Sequence, residues 1–412
     1  MFKKIFVLLC IGLLSGCSVE RKPIFWQGEV PETKTATPVP TVAVLLPLSG
    51  ESASVGENLK NAAMMAAFEN SQTPLKVLFF DTESSGAGAD KAYRWALAQK
   101  PDIILGPVFS KEVSGIKSEG VSKPLLTFTS DTTVVDNQVG TMAVTIPEQV
   151  RQIVRHACAQ RQYRLAVLGP ESKTGEIAMN ALSEAIESCP GMTLKKVSLY
   201  PNNTMNFTDA VKRVAPRLIS SKKKDLSDED KAELQKSVSE RAGMDAVILF
   251  EEGIKLRQLL SLLAFYDIGP KDIPVYGLTV AKQINDNNAN FIYFADLDET
   301  NYYNFSRQYK GIFDKAPIRI ASQVYDAMGF VYSEAAAGRP VTLDDLRTRD
   351  SYWGVDGLVR LNPDGTNRRA LQLKQKRGSR SILIEPAESF FETPVASNGW
   401  NLFNQPTAGL ID

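Results

Sequence analysis

Three consecutive runs decide the fold: Thr41–Pro47 (TVAVLLP), Gly56–Asn70 (GENLKNAAMMAAFEN) and Leu75–Asp81 (LKVLFFD). The first and third are short and apolar almost throughout. The second repeats its apolar residues at helical spacing. A strand without a polar face is covered on both sides, so the unit reads as strand–helix–strand in a parallel sheet. The alternation continues with a helix at Ala89–Gln99, a strand at Asp102–Gly106 (DIILG) and a helix at Lys111–Glu119. Two further strands are expected at Pro124–Phe128 and Met142–Ile146.

The pattern restarts at Pro147. Helices are expected at Pro147–Gln160, Gly175–Ser188, Phe207–Ile219 and Leu256–Asp267, with strands at Arg164–Leu168, Leu194–Tyr200, Asp245–Phe250 and Pro274–Leu278. Two such units predict an α/β protein of two lobes, each a doubly wound parallel sheet, with a cleft and hinge between them. The expected division is 41–147 plus about 273–345 for lobe 1, and about 148–272 plus 346–390 for lobe 2, with 391–412 as an irregular tail. Residues 216–242 read as a solvated, charged helical insert, with Asp228-Glu229-Asp230 at a helix start. Gly354–Leu361 and Ala370–Gln375 flank Asn362-Pro363-Asp364-Gly365, the turn chemistry of a β-hairpin.

Ahead of the folded part, Met1-Phe-Lys3-Lys4, the apolar run Ile5–Leu14 and the small residues before Cys17 read as a secretory signal. Leu14-Ser15-Gly16-Cys17 resembles a bacterial lipobox. That resemblance implies removal of residues 1–16 and acylation of Cys17, and Ser18 after it favours the periplasmic side of the outer membrane. Residues 17–40, with Pro23, Pro31, Pro38 and Pro40, read as an extended tether. No later run is long and apolar enough for a membrane span.

Lysine plus arginine equals aspartate plus glutamate at 47 each, a balance that offers no basic face for nucleic acid. The single histidine, His156, leaves no histidine-based triad or zinc site, and neither metal nor cofactor is expected. His156 falls in a helical segment and reads as a surface or packing residue. Beyond Cys10 in the signal and Cys17, only Cys158 and Cys189 remain; an oxidising compartment allows either a disulfide or two buried thiols.

VAVLLPLSGESASVGENLKNAA (Val42–Ala63), DIILGPVFSKEV (Asp102–Val113), KPLLTFTSD (Lys123–Asp131) and ASQVYDAMGF (Ala321–Phe330) resemble the type I periplasmic binding proteins of the branched-chain amino acid, or leucine-binding, group. Within that fold the lipobox, tether, PLLTFTSD loop and GVDGLVRLNPDGTNRRAL (Gly354–Leu371) resemble the penicillin-binding protein activators, outer-membrane lipoproteins thought to stimulate bifunctional peptidoglycan synthases. The narrower resemblance implies a non-catalytic envelope lipoprotein whose partner is such a synthase. The broader one implies a solute receptor for an amino acid or small peptide, of the kind that feeds an ABC transporter.

Ligands of open α/β sheets sit beyond the carboxyl ends of the strands. The loops in that position carry Ser49 and Gly50, Ser110, and Thr127, Thr129 and Ser130. By resemblance Ser110 holds a ligand carboxylate and Thr127–Ser130 add hydroxyl and backbone contacts. The plainer reading makes Ser110 the N-cap of Lys111–Glu119. Amino acid binders place an acid on the second lobe for the ammonium. Glu251 and Glu252 are the nearest candidates, although Lys255 falls at the matching turn. Ser114-Gly-Ile-Lys117, Ser130-Asp131-Thr132 and Lys173-Thr174-Gly175 mimic the motifs of penicillin-binding acyl enzymes, but Lys173-Thr174-Gly175 lies in a turn before a helix and too few residues separate the first two. Ser84–Gly88 lacks the lysine and spacing of a phosphate loop.

Overall fold

The computed structural model describes residues 39–216, 226–269, 272–284 and 290–391. The signal, Cys17, most of the tether, part of the charged insert and the tail after Phe391 lie outside the described residues.

Five strands, β1 (Thr41–Leu46), β2 (Lys76–Asp81), β3 (Ile103–Leu105), β4 (Leu125–Thr127) and β5 (Val139–Thr141), form a parallel sheet in the order β2-β1-β3-β4-β5. The crossovers are α1 (Ala53–Glu69), α2 (Gly86–Ala98) and α3 (Ser110–Glu119). Residues Val42 to Leu46 are wholly buried because their side chains alternate between two cores. Val42, Val44 and Leu46 meet α1, while Ala43 and Leu45 meet α2 and α3. Continuous apolarity in the strand is thus the signature of helices on both sides.

After α4 (Ile146–Ala159) come β6 (Arg164–Glu171), α5 (Lys173–Glu187), β7 (Thr193–Pro201), α6 (Thr208–Val214), α7 (Asp228–Leu234), α8 (Val238–Ala242), β8 (Ala246–Leu249), α9 (Gly253–Phe265), β9 (Val275–Gly277) and β10 (Tyr293–Asp296). The chain continues through α10 (Tyr302–Phe313), α11 (Ala321–Ala336), α12 (Leu343–Arg347), β11 (Tyr352–Gly354), β12 (Gly357–Leu361), β13 (Asn367–Arg369), β14 (Gln372–Arg377) and β15 (Arg380–Glu385). The second sheet runs β15-β14-β10-β9-β8-β6-β7; β14 and β15 join it antiparallel. A third, small sheet is β11-β12-β13.

The division of the chain between the lobes differs from the sequence expectation. β9 and β10, whose residues the sequence assigns to lobe 1, stay in the second sheet, because β9 lies in parallel register with β8 and β10 with β9. Residues 346–369, assigned to lobe 2, pack on the first lobe: Tyr352, Val359 and Leu361 share a core with α1, α10, α11 and β1. Only from β14 does the chain return to lobe 2. The hairpin is present, but its second strand is Asn367–Arg369; the expected Ala370–Gln375 strand instead crosses to β10. Met142–Ile146 is no strand. β5 ends at Thr141 and Ile146 already starts α4, with Pro147 in the first turn.

Cys158 at the end of α4 and Cys189 after α5 are bonded, with Cα atoms 6.1 Å apart. His156 hydrogen bonds Glu385 at 2.8 Å and packs against Tyr276 and Tyr293. The described end of the charged insert forms α7, which starts at Asp228 with Ser227 accepting from the Asp230 N–H at 3.1 Å.

The hairpin turn locks onto the edge of the first sheet. Thr141 N–H donates to Gly365 O at 2.9 Å. Gly365 has φ +88°, and a Cβ there would sit 2.0 Å from Asp136 O. Gly365→Ala therefore meets left-handed strain and a backbone clash together; we expect it to lower stability by about 2–4 kcal/mol in urea unfolding. Stability within 1 kcal/mol of the parent would show that the turn is not packed this way.

Candidate functional site

The carboxyl end of β4 faces those of β6, β8 and β9 across a cleft of about 950 Å³. Lobe 1 contributes Phe128, Ser130, Arg319, Ile320 and Gln323. Lobe 2 contributes, among others, Ser172, Asn202, Glu251, Glu252 and Lys255. The floor is the crossing itself, with Ala143, Val144 and Leu297. A groove of about 580 Å³ along lobe 1 holds Ser110, Lys111, Thr129 and Asp131, and shares Phe128, Ser130 and Ile320 with the cleft.

The candidate residues separate into those that face this space and those that build its walls. Ser49 and Gly50 belong to the walls. Asp81 accepts from the Leu48 and Ser49 N–H groups at 2.9 and 3.0 Å, and Ser84 donates to Ser49 O at 2.6 Å. Gly50, at φ +80°, lies so close to Glu83 O that a Cβ would fall 2.9 Å away. Their neighbours Glu51 and Ser52 line the groove instead. Thr127 is fully buried and donates to Pro107 O at 2.6 Å. Thr129 reaches the groove, but its hydroxyl accepts from the Asp131 N–H at 3.2 Å.

Ser110 lies in the groove and is not an N-cap. It is the first residue of α3, and Glu112 reaches back to accept from the Val108 and Phe109 N–H groups at 3.1 and 3.0 Å. Burial raises the Glu112 pKa, against the bonds from Thr82, Phe109 and Val108. Ser130 lines both spaces. The acyl-enzyme mimic dissolves here: Lys117 is bonded to Val134 O and Asp136, while Ser114 is exposed.

On lobe 2, Glu251 is 7% exposed and Glu252 is open to solvent. Glu251 accepts one hydrogen bond, from the Glu252 N–H at 3.2 Å. Its Oε1 has no hydrogen-bond donor, and the nearest cation, Lys255, stands 4.0 Å away and donates to Asn202 O. The Tyr200 hydroxyl stands beside this carboxylate without closing a well-formed hydrogen bond; burial, then the Glu251 charge and the contact between the two groups, push the phenol pKa far up. Glu251 is thus a carboxylate removed from water with most of its acceptor capacity unused, a costly state that an added donor would relieve.

Sequence reading missed Arg319, Gln323, Lys282 and Asp296. Asp296 is buried between Lys282 and Lys374, each at 3.2 Å. Arg319 donates through Nη1 to Ser322 and to Asp356, both at 2.8 Å. No local motif marks these positions. Among the described residues, no group of three or more His, Cys, Asp or Glu side chains could hold a metal ion.

Residues 40–216 match the family model described as periplasmic binding protein. Among solved structures, one assigned to branched-chain amino acid ABC transport in Rhodospirillum rubrum superposes with a TM-score of 0.67 at 19% identity, over 84% of this chain and 100% of the other. The branched-chain amino acid ABC transporter periplasmic ligand-binding protein of Burkholderia xenovorans gives 0.62 at 15%, over 84% and 96%. The ABC transporter substrate-binding protein of Desulfitobacterium hafniense, in complex with Leu, gives 0.57 at 16%, over 84% and 99%. No curated protein matches the chain. The fold is that of the type I periplasmic binding proteins of the leucine-binding kind, with two α/β lobes around a cleft.

One ion pair spans the mouth. Lys173 at the start of α5 lies 3.2 Å from Asp131 on lobe 1. Burial raises the Asp131 pKa, but the bonds from Thr133 and Lys173 outweigh it and hold the group below its ordinary value. The contribution is therefore present above the unfolded carboxyl pKa, near 3.9, and is lost as pH falls through the lower folded value. A double-mutant cycle of Asp131→Asn and Lys173→Met is expected to give a coupling of about 0.2–1 kcal/mol in low salt near neutral pH. The coupling should vanish in strong salt, and in acid once pH has fallen past the lowered folded value; persistence after the carboxyl is protonated would mean that its charge is not what joins the two.

Proposed function

We propose that this protein is a non-catalytic solute receptor of the periplasmic space that takes a small ligand bearing a cationic amino group, an amino acid or a small peptide, into the cleft between its lobes. Glu251 carries the reading: a buried carboxylate at the cleft wall whose Oε1 lacks a donor and whose nearest lysine is engaged with Asn202. An ammonium supplies three donors and a compensating charge. The cleft, at about 950 Å³, is of ligand size. Relatives in fold described as substrate-binding proteins of ABC transporters support the same reading. Among the described residues no helix is long and apolar enough to cross a membrane, and acylation of Cys17 would supply the anchor on the periplasmic side.

A panel of amino acids and di- and tripeptides tests this by thermal unfolding. A true ligand at a hundred times its Kd adds about 2.7 kcal/mol to stability. We expect at least one amine-bearing probe to raise Tm in proportion to concentration, and Glu251→Gln to abolish the shift. A panel without effect, or an undiminished shift in Glu251→Gln, counts against the receptor.

A second reading, regulation of a bifunctional peptidoglycan synthase, draws support from the far side of lobe 1. There Trp353 stands 57% exposed beside a groove of about 620 Å³ lined by Tyr325, Phe330, Arg339 and Arg349. Exposed tryptophan and arginine are enriched among residues that anchor protein interfaces. Immobilised chain should then retain the synthase, and Trp353→Ala should weaken retention at least tenfold. Equal retention by the variant, or none by the parent, removes this reading.

A further inference from the structure

Three arginines of this chain meet a carboxylate through one edge of the guanidinium, that of Nε and Nη2. Arg164 uses it on Asp245, at 3.1 and 2.7 Å. Arg339 and Arg349 both use it on Glu334. The planar fork matches the geometry of carboxylate oxygens, which a lysine ammonium cannot reproduce.

Arg319 meets its acid through Nη1 instead, as Arg347 does away from the cleft. It lines the cleft just before α11. Its Nη1 is committed to Ser322 and Asp356, and its guanidinium lies over the Tyr302 ring, 4.1 Å from the centroid. Ser322 in turn donates to the other Asp356 oxygen at 2.8 Å, so the guanidinium is held from two sides. Yet Nε and Nη2 are buried and find no acceptor. The neighbouring acids are engaged elsewhere: Glu299 with Lys374 at 2.8 Å, and Asp296 with Lys282 and Lys374. Gln323, four residues on, lines the same wall, is 6% exposed and has an Oε1 without a donor.

A fixed guanidinium edge removed from water and lacking an acceptor is destabilising on its own. The same edge is preorganised for a group that brings the acceptors. Building on the receptor reading, we infer that the ligand carries a side-chain carboxylate that Arg319 takes through its Nε/Nη2 edge, so that the cleft selects acidic ligands over their neutral amides. Glu251 on lobe 2 and Arg319 on lobe 1 then receive opposite charges of one molecule, and the ligand ties the two walls together. The cleft, near the upper end of the roughly 300–1,000 Å³ of ligand sites, has room for a dipeptide.

Titration calorimetry with matched probes tests the inference: glutamate against glutamine, and alanyl-glutamate against alanyl-glutamine. In the parent chain we expect the acidic member of a pair to bind about tenfold tighter or more. Arg319→Gln should equalise the pair while still binding the amide. Arg319→Lys keeps a charge for Asp356 but lacks the fork, and should lose most of the preference; its Tm, read alongside, confirms folding. Equal binding of acid and amide by the parent overturns the inference and leaves the receptor intact. So does an acid preference that survives in both variants. If no probe binds the parent, the receptor reading falls, and this inference falls with it.

Discussion

Both lobes are referred to one buried junction, where side chains of the late hairpin bind the backbone of the first crossing. Asn367, 1% exposed, donates through Nδ2 to the carbonyls of Thr141 and Ala143, each at 2.9 Å. Arg369 donates to Met142 O at 2.7 Å, and its own N–H donates to Glu148 on α4 at 3.0 Å. Three successive carbonyls of the crossing are thus satisfied by side chains where a sheet ladder would otherwise do so. This keeps the segment after β5 irregular while its carbonyls stay paired, although Asn367 Oδ1 and the Arg369 Nε and Nη1 find no partner of their own. It also fixes where the hairpin must lie, since Asn367 and Gly365 act on the same edge of the first sheet.

The junction explains the character of the cleft. Its floor is made of the apolar side chains of Ala143, Val144 and Leu297, so polar recognition is left to the walls. There the structure is uneven. Asp81, Glu112 and Asp131 each accept two or more bonds from their own loops and serve to hold shape. Glu251 Oε1 and the Arg319 Nε and Nη2 are buried atoms that are not so served. Buried groups that a fold satisfies are structural by default. Those left unsatisfied at a concave surface are where an external partner has most to offer.

The parallel α/β class was legible in the chain because burial on two faces writes itself into consecutive residues, as in Thr41–Leu46 and Ile103–Leu105. The Asn362–Gly365 turn was legible because Asp364 and Gly365 satisfy local requirements. The Asp364 carboxylate accepts from the Thr366 N–H at 2.9 Å, and Gly365 supplies the left-handed φ. The destination of the hairpin strands was not. A strand edge pairs with whatever its distant side chains anchor, and for β13 that anchor is Asn367 on Thr141. In the site, Ser110 and Ser130 could be placed by the rule that ligands sit beyond strand carboxyl ends. Glu251 could be placed because it directly follows a strand. Arg319 could not. It sits between two helices, in no motif, and its orientation depends on Asp356, which the chain brings back only after α11 and α12.

What holds the lobes together over the cleft follows from magnitudes. The Lys173–Asp131 pair is largely open to solvent on the lysine side, 60% exposed, so it is worth no more than about 1 kcal/mol. That biases an open–closed equilibrium by a factor of about five at most, whereas moving it from one extreme to the other needs about 5.5 kcal/mol of differential affinity. Surface attraction between the lobes cannot supply this. In the proposed receptor a ligand reaching both Glu251 and Arg319 would, because it gains the second contact only when the lobes are together. There the weak bridge at the mouth would set the starting population, and contact of a ligand with both Glu251 and Arg319 would set how strongly occupancy shifts it.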